Sequence, residues 1–326
     1  MSPEVHRLFS SEIRDQSFSR FRVTDAHLIS DWHAFTFDAK TSTGPCILKI
    51  THSSHRTYDQ LEAEGEWLVY LVSKGVRAPR IHQSIKSLCF ERVPAADGYF
   101  SVMSYEKLVG EPIGDTLWNE ALFRRWGNLI GRLHRLSQEY VPKIRRYSWY
   151  ESDFLNLEAY IPFTDREIRA GAERVIQSVK DLPLSDFQYG LIHADVYQDN
   201  LFWANDELLL FDFDNCEYGH YISDIAIALY AALWRHLDQP DPVQFSEKFL
   251  RALFIGYREQ HVLSRTEIEA LPLFLRLREV LIYTVAQKML DLNNLTPIQA
   301  HLLKERGYRL RQNQPIVDLS PLLGSL

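Results

Sequence analysis

With 326 residues, 46% of them hydrophobic and 24% charged, the chain is long enough for two lobes with their own cores and too apolar to be disordered. Its three cysteines, Cys46, Cys89 and Cys216, are widely spaced and include no C-x-x-C pair, which excludes a disulfide framework, gives no zinc signature and suits a reducing cytoplasm. The net charge of −7 is concentrated in residues 147–224, which carry 4 basic and 16 acidic side chains. That field disfavours a nucleic acid partner and suits metal ions and cationic small molecules, although most of these acids are equally well read as solvated surface.

The amino terminus mixes charges and lacks an apolar core of leader length. The most apolar run, 225–234, falls far short of the roughly 20 residues of a spanning helix, so a soluble protein without a membrane partner is expected. Residues 21–50 read as strands, with a turn at Thr43-Gly44-Pro45. Lys49 interrupts the apolar run Cys46-Ile47-Leu48-Lys49-Ile50. Taken alone it is an edge-strand charge that limits aggregation.

Segment 58–73 has Leu61, Glu64, Trp67, Leu68 and Leu71 at helical spacing on one face and is closed by Gly75. Glu64 therefore lies on an apolar face, where a carboxylate needs a partner. Lys49 is the natural one, either as a plain buried ion pair or as the lysine-glutamate pair by which protein kinases aim a lysine at ATP phosphates. Short strands at 81–83, 87–93 and 98–104 follow. Beyond residue 105 the texture becomes helical, so a lobe boundary is placed there, giving 1–105 and 106–326. If the chain resembles a two-lobed kinase, whose connector borders the adenine pocket, the backbone near Ser104 and Glu106 is expected to read the base edge.

In the second half, 117–137 is a strongly amphipathic helix in which Gly127 and Gly131 permit close approach of a neighbour. His134 near its end is read as a capping or packing residue, and a further helix is expected at 165–180. Asp224 reads as the N-cap of an apolar helix over 225–234. Helices at 243–257, 265–290 and 296–307 complete the chain, with Arg276 and Arg278 as exposed helix charge and 313–326 as a surface tail. Trp149, Tyr150, Trp203, Tyr218 and Tyr221 suit a cationic amine, although such aromatics are more often core.

The densest chemistry lies in 191–214, LIHADVYQDNLFWANDELLLFDFD. His193, Asp195 and Asn200 form H-x-D-x-x-x-x-N, and a second apolar run ends on Asp212-Phe213-Asp214. The flanking runs read as short buried strands that hold carboxylates at their ends. Phosphoryl transfer needs one carboxylate to accept a hydroxyl proton and further hard oxygen donors for Mg2+. Asp195 is assigned as the base, Asn200 and Asp212 as magnesium ligands and His193 as the brace of the loop. Asp214 is assigned to a second metal or to substrate.

Taken together, Cys46 to Ile50, Glu64-Gly65-Glu66-Trp67-Leu68, Gly131-Arg132-Leu133-His134, residues 189–200, residues 211–214 and Ser223-Asp224-Ile225-Ala226 resemble the aminoglycoside phosphotransferase and choline kinase superfamily, including its homoserine kinase type II-like members. The resemblance implies an α+β, protein-kinase-like two-lobed fold, with an N-terminal antiparallel sheet and one helix, then a mostly helical C-terminal lobe. It also implies ATP, Mg2+ and transfer of the γ-phosphate to a hydroxyl of a small molecule. An aminoglycoside, an amino alcohol and a homoserine-like amino acid all remain open, and oligomeric state is not addressed. The alternatives are a protein Ser/Thr kinase of the same superfamily and a non-catalytic nucleotide-binding regulator. Three features depart from the family: the hairpin at 30–35 has no glycine-rich loop, Ala194 and Asp199 stand where glycine is frequent, and Tyr197 stands where histidine is common.

Overall fold

The computed structural model describes residues 3–183, 189–236 and 240–324. It is an α+β protein whose chain divides into two compact units, one of Met1–Gly110, Tyr140–Arg146 and Leu209–Asp214, the other of Glu111–Glu139, Tyr147–Leu208 and Asn215–Leu326. The first unit starts with two helices, α1 (Pro3–Leu8) and α2 (Ser11–Arg20), where only mixed charge was legible in the sequence. Strands β1 (Val23–Ser30), β2 (Phe35–Thr41) and β3 (Gly44–His52) follow, then α3 (Tyr58–Ser73) and strands β4 (Ile81–His82), β5 (Glu91–Pro94) and β6 (Tyr99–Glu106). They form one antiparallel sheet in the order β1-β2-β3-β6-β4, with β5 also on β6.

Alternation along β3 sorts its side chains onto two faces. Cys46, Leu48 and Ile50 join Phe35, Phe37, Phe100 and Val102 in a buried cluster that also takes Val5 and Ile13 from the two leading helices. Phe9, between α1 and α2, stacks on Phe35 with centroids 3.8 Å apart. Lys49 points to the opposite face from this core. The α3 helix matches its expected bounds because both ends carry strong signals. Thr57 and Gln60 form a capping box, and Gly75 adopts φ 82°, a left-handed value that a side chain resists.

The second unit contains β7 (Glu111–Pro112), α4 (Glu120–Glu139), the single-turn α5 (Leu157–Tyr160), α6 (Arg166–Lys180), β8 (Tyr189–Ile192), β9 (Leu201–Ala204), β10 (Glu207–Leu210), β11 (Glu217–His220), α7 (Ile222–Arg235), α8 (Pro242–Arg258), α9 (Arg265–Met289) and α10 (Pro297–Gln312). The β10 strand runs on into the segment grouped with the first unit. The β9–β10 hairpin turns on Asn205 and Asp206, both with positive φ, as a two-residue type I′ turn requires.

Helices α4 and α8 touch backbone to backbone, as the glycine spacing of α4 led us to expect. A Cβ on Gly127 would lie 1.8 Å from the Leu253 carbonyl oxygen, and one on Gly256 would lie 1.8 Å from that of Arg124. The carboxy-terminal segment differs from the expected surface tail, since Val317, Leu319 and Leu322 are buried; its last two residues lie outside the described range. Among the described residues, no helix is long and apolar enough to cross a membrane.

Candidate active site

The residues singled out in the sequence form two clusters, one in each unit. In the first unit, β3 delivers Lys49 to the acids that follow β10. Its Nζ lies 3.1 Å from Oδ1 of Asp212 and 3.6 Å from Oδ1 of Asp214. Burial would lower the ammonium's pKa, but Asp212, Asp214 and Glu64 together raise it, so the lysine stays charged.

Glu64 is buried on α3 as expected, yet the short contacts of Lys49 among the described residues are with the two aspartates and not with Glu64. Oε1 of Glu64 instead accepts from the Tyr105 hydroxyl at 3.2 Å, and burial raises its carboxyl above the usual range against the pull of Lys49. The reason is competition: two carboxylates face one ammonium, and the third keeps the tyrosine hydroxyl on Oε1 while its Oε2 is buried with no hydrogen-bond partner among the described residues.

Asp212 and Asp214 differ sharply. The Asp212 side chain is 48% exposed, sits at φ 61° and accepts from Lys49 through Oδ1. Such a left-handed value in a residue with a side chain is a local strain of the kind that collects at functional positions. Asp214 is buried, and its Oδ2 lies 3.1 Å from His55 Nε2 and 3.3 Å from Arg56. Burial would raise its carboxyl, but Arg56, Lys49 and His55 overturn that and hold it well below the ordinary range. Its main-chain carbonyl also accepts from Arg56 and Arg146. Asp214 is thus a buried anion held by Lys49, Arg56 and the His55 ring.

His55 and Arg56 carried no sequence signal, since neither belongs to a motif. In the glycine-poor hairpin between β1 and β2, His33 stacks on His55 with centroids 4.9 Å apart and planes 7° from parallel. Ser104 and Glu106 are tied into the sheet. The Ser104 hydroxyl contacts His82 at 3.2 Å, and the Glu106 amide donates to the Arg80 carbonyl at 2.8 Å.

In the second unit, the catalytic-loop motif lies between β8 and β9 and is organised by α7. The fully buried Asp224 carboxylate accepts the main-chain N–H of His193 at 3.1 Å and that of Ala194 at 2.8 Å, and contacts His134 Nε2 at 3.2 Å. Asp224 is therefore not the helix N-cap expected from sequence. It sits in the first turn of α7, where the helix's positive end favours a carboxylate, and turns that charge onto the loop. His134 is likewise a deeply buried connector, bonded to Tyr257 at 2.8 Å and stacked on Tyr221. Ala194 has φ 61°, a left-handed value that glycine adopts without a side-chain clash.

His193 braces the loop locally: its Nδ1 accepts the Asp195 amide at 3.2 Å. The Asp195 carboxylate is held on both oxygens. Oδ1 accepts from Arg278 of α9 at 2.8 Å, and Oδ2 faces the amide nitrogens of Asn200 at 3.2 Å and Asn215 at 3.4 Å. The helix pattern predicts Arg278 as exposed charge. It is instead 15% exposed and bound to the candidate base, a contact spanning 83 positions that no local pattern announces. Arg276 is also half-buried, bonded to Asn313.

The Asn200 nitrogen donates to both the main-chain and the side-chain oxygen of Asp195, so its amide oxygen is turned away as a hard donor. The aromatic set separates in the same way: Trp149 and Tyr221 are core, while Trp203 and Tyr150 already face Arg125 and Lys180.

These side chains offer a held carboxylate, a charged lysine and hard oxygen donors at Asn200 and Asp212, which is a phosphotransferase repertoire. The profile of the phosphotransferase enzyme family (APH) matches residues 25–263. The chain belongs to this family, and it is a small-molecule kinase. It is 31% identical over 310 residues to amicoumacin kinase of Bacillus subtilis (strain 168), an alignment covering 93% of this chain and 92% of that one. Its fold superposes on that of amicoumacin kinase hAmiN, in complex with AMP-PNP, Ca2+ and Ami, with a TM-score of 0.94 and 28% identity over 99% and 100% of the two chains. A microcompartment-associated aminopropanol kinase shares the fold with a TM-score of 0.74 and 18% identity, covering 93% and 95% of the two chains.

Proposed function

We propose that this enzyme transfers the γ-phosphate of ATP to a hydroxyl of amicoumacin or a closely similar hydroxylated compound, with Mg2+ as the cation. The observation that carries the reading is the Asp195 carboxylate, pinned by Arg278, Asn200 and Asn215, in a chain that aligns with an amicoumacin kinase over 93% of its length. Mg2+ supplies charge neutralisation of the phosphates when bound and takes oxygen donors while keeping several waters. Asn200 and Asp212 fit that demand: each presents an amide or carboxylate oxygen, and Asp212 is exposed.

Lys49 is positioned by Asp212 and Asp214 to meet phosphate oxygens as a point charge. Asp195 receives the proton of the acceptor hydroxyl as its oxygen bonds to the γ-phosphorus and the bond to ADP breaks. His193 and Asp224 hold the loop that carries this carboxylate. Asp214, buried between Lys49 and Arg56, serves better as their anchor than as a metal ligand.

The test is ATP consumption with Mg2+ and amicoumacin, followed by mass analysis of the product. The wild type should add one phosphate to amicoumacin, and Asp195→Asn should lower the rate by at least about 10²-fold while retaining nucleotide binding. Full activity in the Asn variant would remove Asp195 from its role. No phosphorylation of amicoumacin, with transfer to another hydroxylated metabolite in the same screen, would change the substrate and keep the chemistry.

A further inference from the structure

Beside Asp195, the catalytic-loop motif supplies Asn200, and Asn215 follows nearby in the chain, but neither segment accounts for Arg278. This residue belongs to α9, a helix with no part in the motif, and its Nη2 lies 2.8 Å from Oδ1 of Asp195. Both side chains are largely withdrawn from water, 15% and 16% exposed, so the pair is not a screened surface contact. The guanidinium accepts a cost to be there: its Nε is buried with no hydrogen-bond partner among the described residues. Buried N–H groups are seldom left unmade, and such exceptions often mark functional positions.

The three donors on Asp195 come from three places. Asn200 and Asn215 reach Oδ2 from the loop and from the residue after the Asp212-Phe213-Asp214 run, while among the described residues Arg278 is the one that holds Oδ1. Without Arg278, the amides grip a single oxygen, and the carboxylate is free to turn about its last torsion. With it, the plane of the carboxylate is fixed.

We propose that Arg278 is a positioning residue of the phosphotransfer reaction, fixing the Asp195 carboxylate in the orientation that receives the acceptor's proton. The proposal rests on the kinase reading given above. During transfer the acceptor O–H proton passes to Asp195, the acceptor oxygen bonds to phosphorus and ADP leaves with the electrons of the broken P–O bond. Arg278 exchanges no proton in this sequence. Its contribution is geometric, and misplacing a reacting group by about 1 Å can cost about 10²-fold in rate.

The experiment compares the full-length wild type with Arg278→Ala and Arg278→Lys, using Mg2+-ATP with amicoumacin as acceptor and, in parallel, the slower transfer to water read as ADP release. Arg278→Ala should lose about 10²-fold in kcat with the KM for ATP within about twofold of wild type. Lysine should restore part of the loss, because it supplies the charge without the planar fork. Added guanidinium at low concentration should also raise the rate of the Ala variant.

A kcat within about twofold of wild type in the Ala variant would overturn the proposal. So would a loss that falls equally on kcat and the KM for ATP, is accompanied by a lowered melting temperature and is rescued by neither lysine nor guanidinium, since that is the behaviour of a structural ion pair. If Arg278→Ala does not fold, Arg278→Lys and Arg278→Gln decide by the same readouts. A wild type that transfers phosphate neither to amicoumacin nor to water, nor to any compound in the wider screen, would sink the kinase reading itself, a failure distinct from that of Arg278.

Discussion

At the scale of single residues, the histidines beside Asp214 show how burial and neighbouring charge set protonation. Burial, with His55 alongside, lowers His33 from 6.5 to about 3, and burial also lowers His55 against the opposing pull of Asp214. A histidine whose folded pKa is depressed supports the fold fully above 6.5, and that support is lost as pH falls through the window towards 3, because the unfolded chain takes up a proton that the folded chain refuses. Between pH 6.5 and 5 the loss from His33 amounts to about 2 kcal/mol. His33→Gln should therefore show a smaller drop in melting temperature between pH 7.5 and pH 5 than the wild type. Equal drops would show that His33 titrates normally in the folded protein.

Asp224 makes the complementary point. One buried carboxylate at the start of α7 accepts the main-chain N–H groups of His193 and Ala194 and meets His134, so a single side chain ties the end of a helix to the loop between β8 and β9.

At the scale of elements, α4 and α8 pack with their backbones in contact, and the glycines on both sides have no alternative. The atoms that a Cβ on Gly127 would meet are the Leu253 carbonyl oxygen, carbon and Cα, none of which can swing away as a side-chain tip would. Gly127→Ala should destabilise the protein by about 1 to 3 kcal/mol through overpacking, visible as a lowered melting temperature. Gly114, which has nothing within 4 Å of a Cβ, provides the control, and Gly114→Ala should leave the melting temperature close to wild type. If the two variants melt alike, the close approach carries no weight.

The α3 helix was legible to both ends because capping box, apolar face and closing glycine agree within one short segment. The α1 and α2 helices were not. Apolar positions in and between them, such as Val5, Phe9 and Ile13, acquire meaning only against Phe35, Phe37 and Phe100 of the sheet. A short helix in isolation is marginal, and here packing decides it.

At the scale of the whole molecule, ligand binding should be readable as stability. Mg2+-ATP analogue at about 100 times its dissociation constant stabilises the folded chain by about 2.7 kcal/mol, so melting should shift upward with nucleotide and metal together and by much less with nucleotide and a chelator. Lys49→Ala should lose most of that shift, whereas Asp195→Asn should keep it. A shift that survives both the chelator and Lys49→Ala would remove the lysine and the metal from nucleotide binding.

What the sequence determined by itself was whatever is encoded over short distances: the α+β class, the H-x-D-x-x-x-x-N loop with Asp195 and Asn200, the acid pair at Asp212 and Asp214, and the burial of Glu64 on its helix. Strand alternation, helical spacing and motif spacing are all local, and they survive without any knowledge of neighbours. Tertiary structure alone decided that Lys49 pairs with Asp212 and Asp214 ahead of Glu64, that His55 and Arg56 enclose Asp214, and that Arg278 reaches Asp195. Each of those contacts joins positions far apart in the chain, where several partners of the right charge compete. The winner is set by which face each element turns inward, and no single segment records that choice.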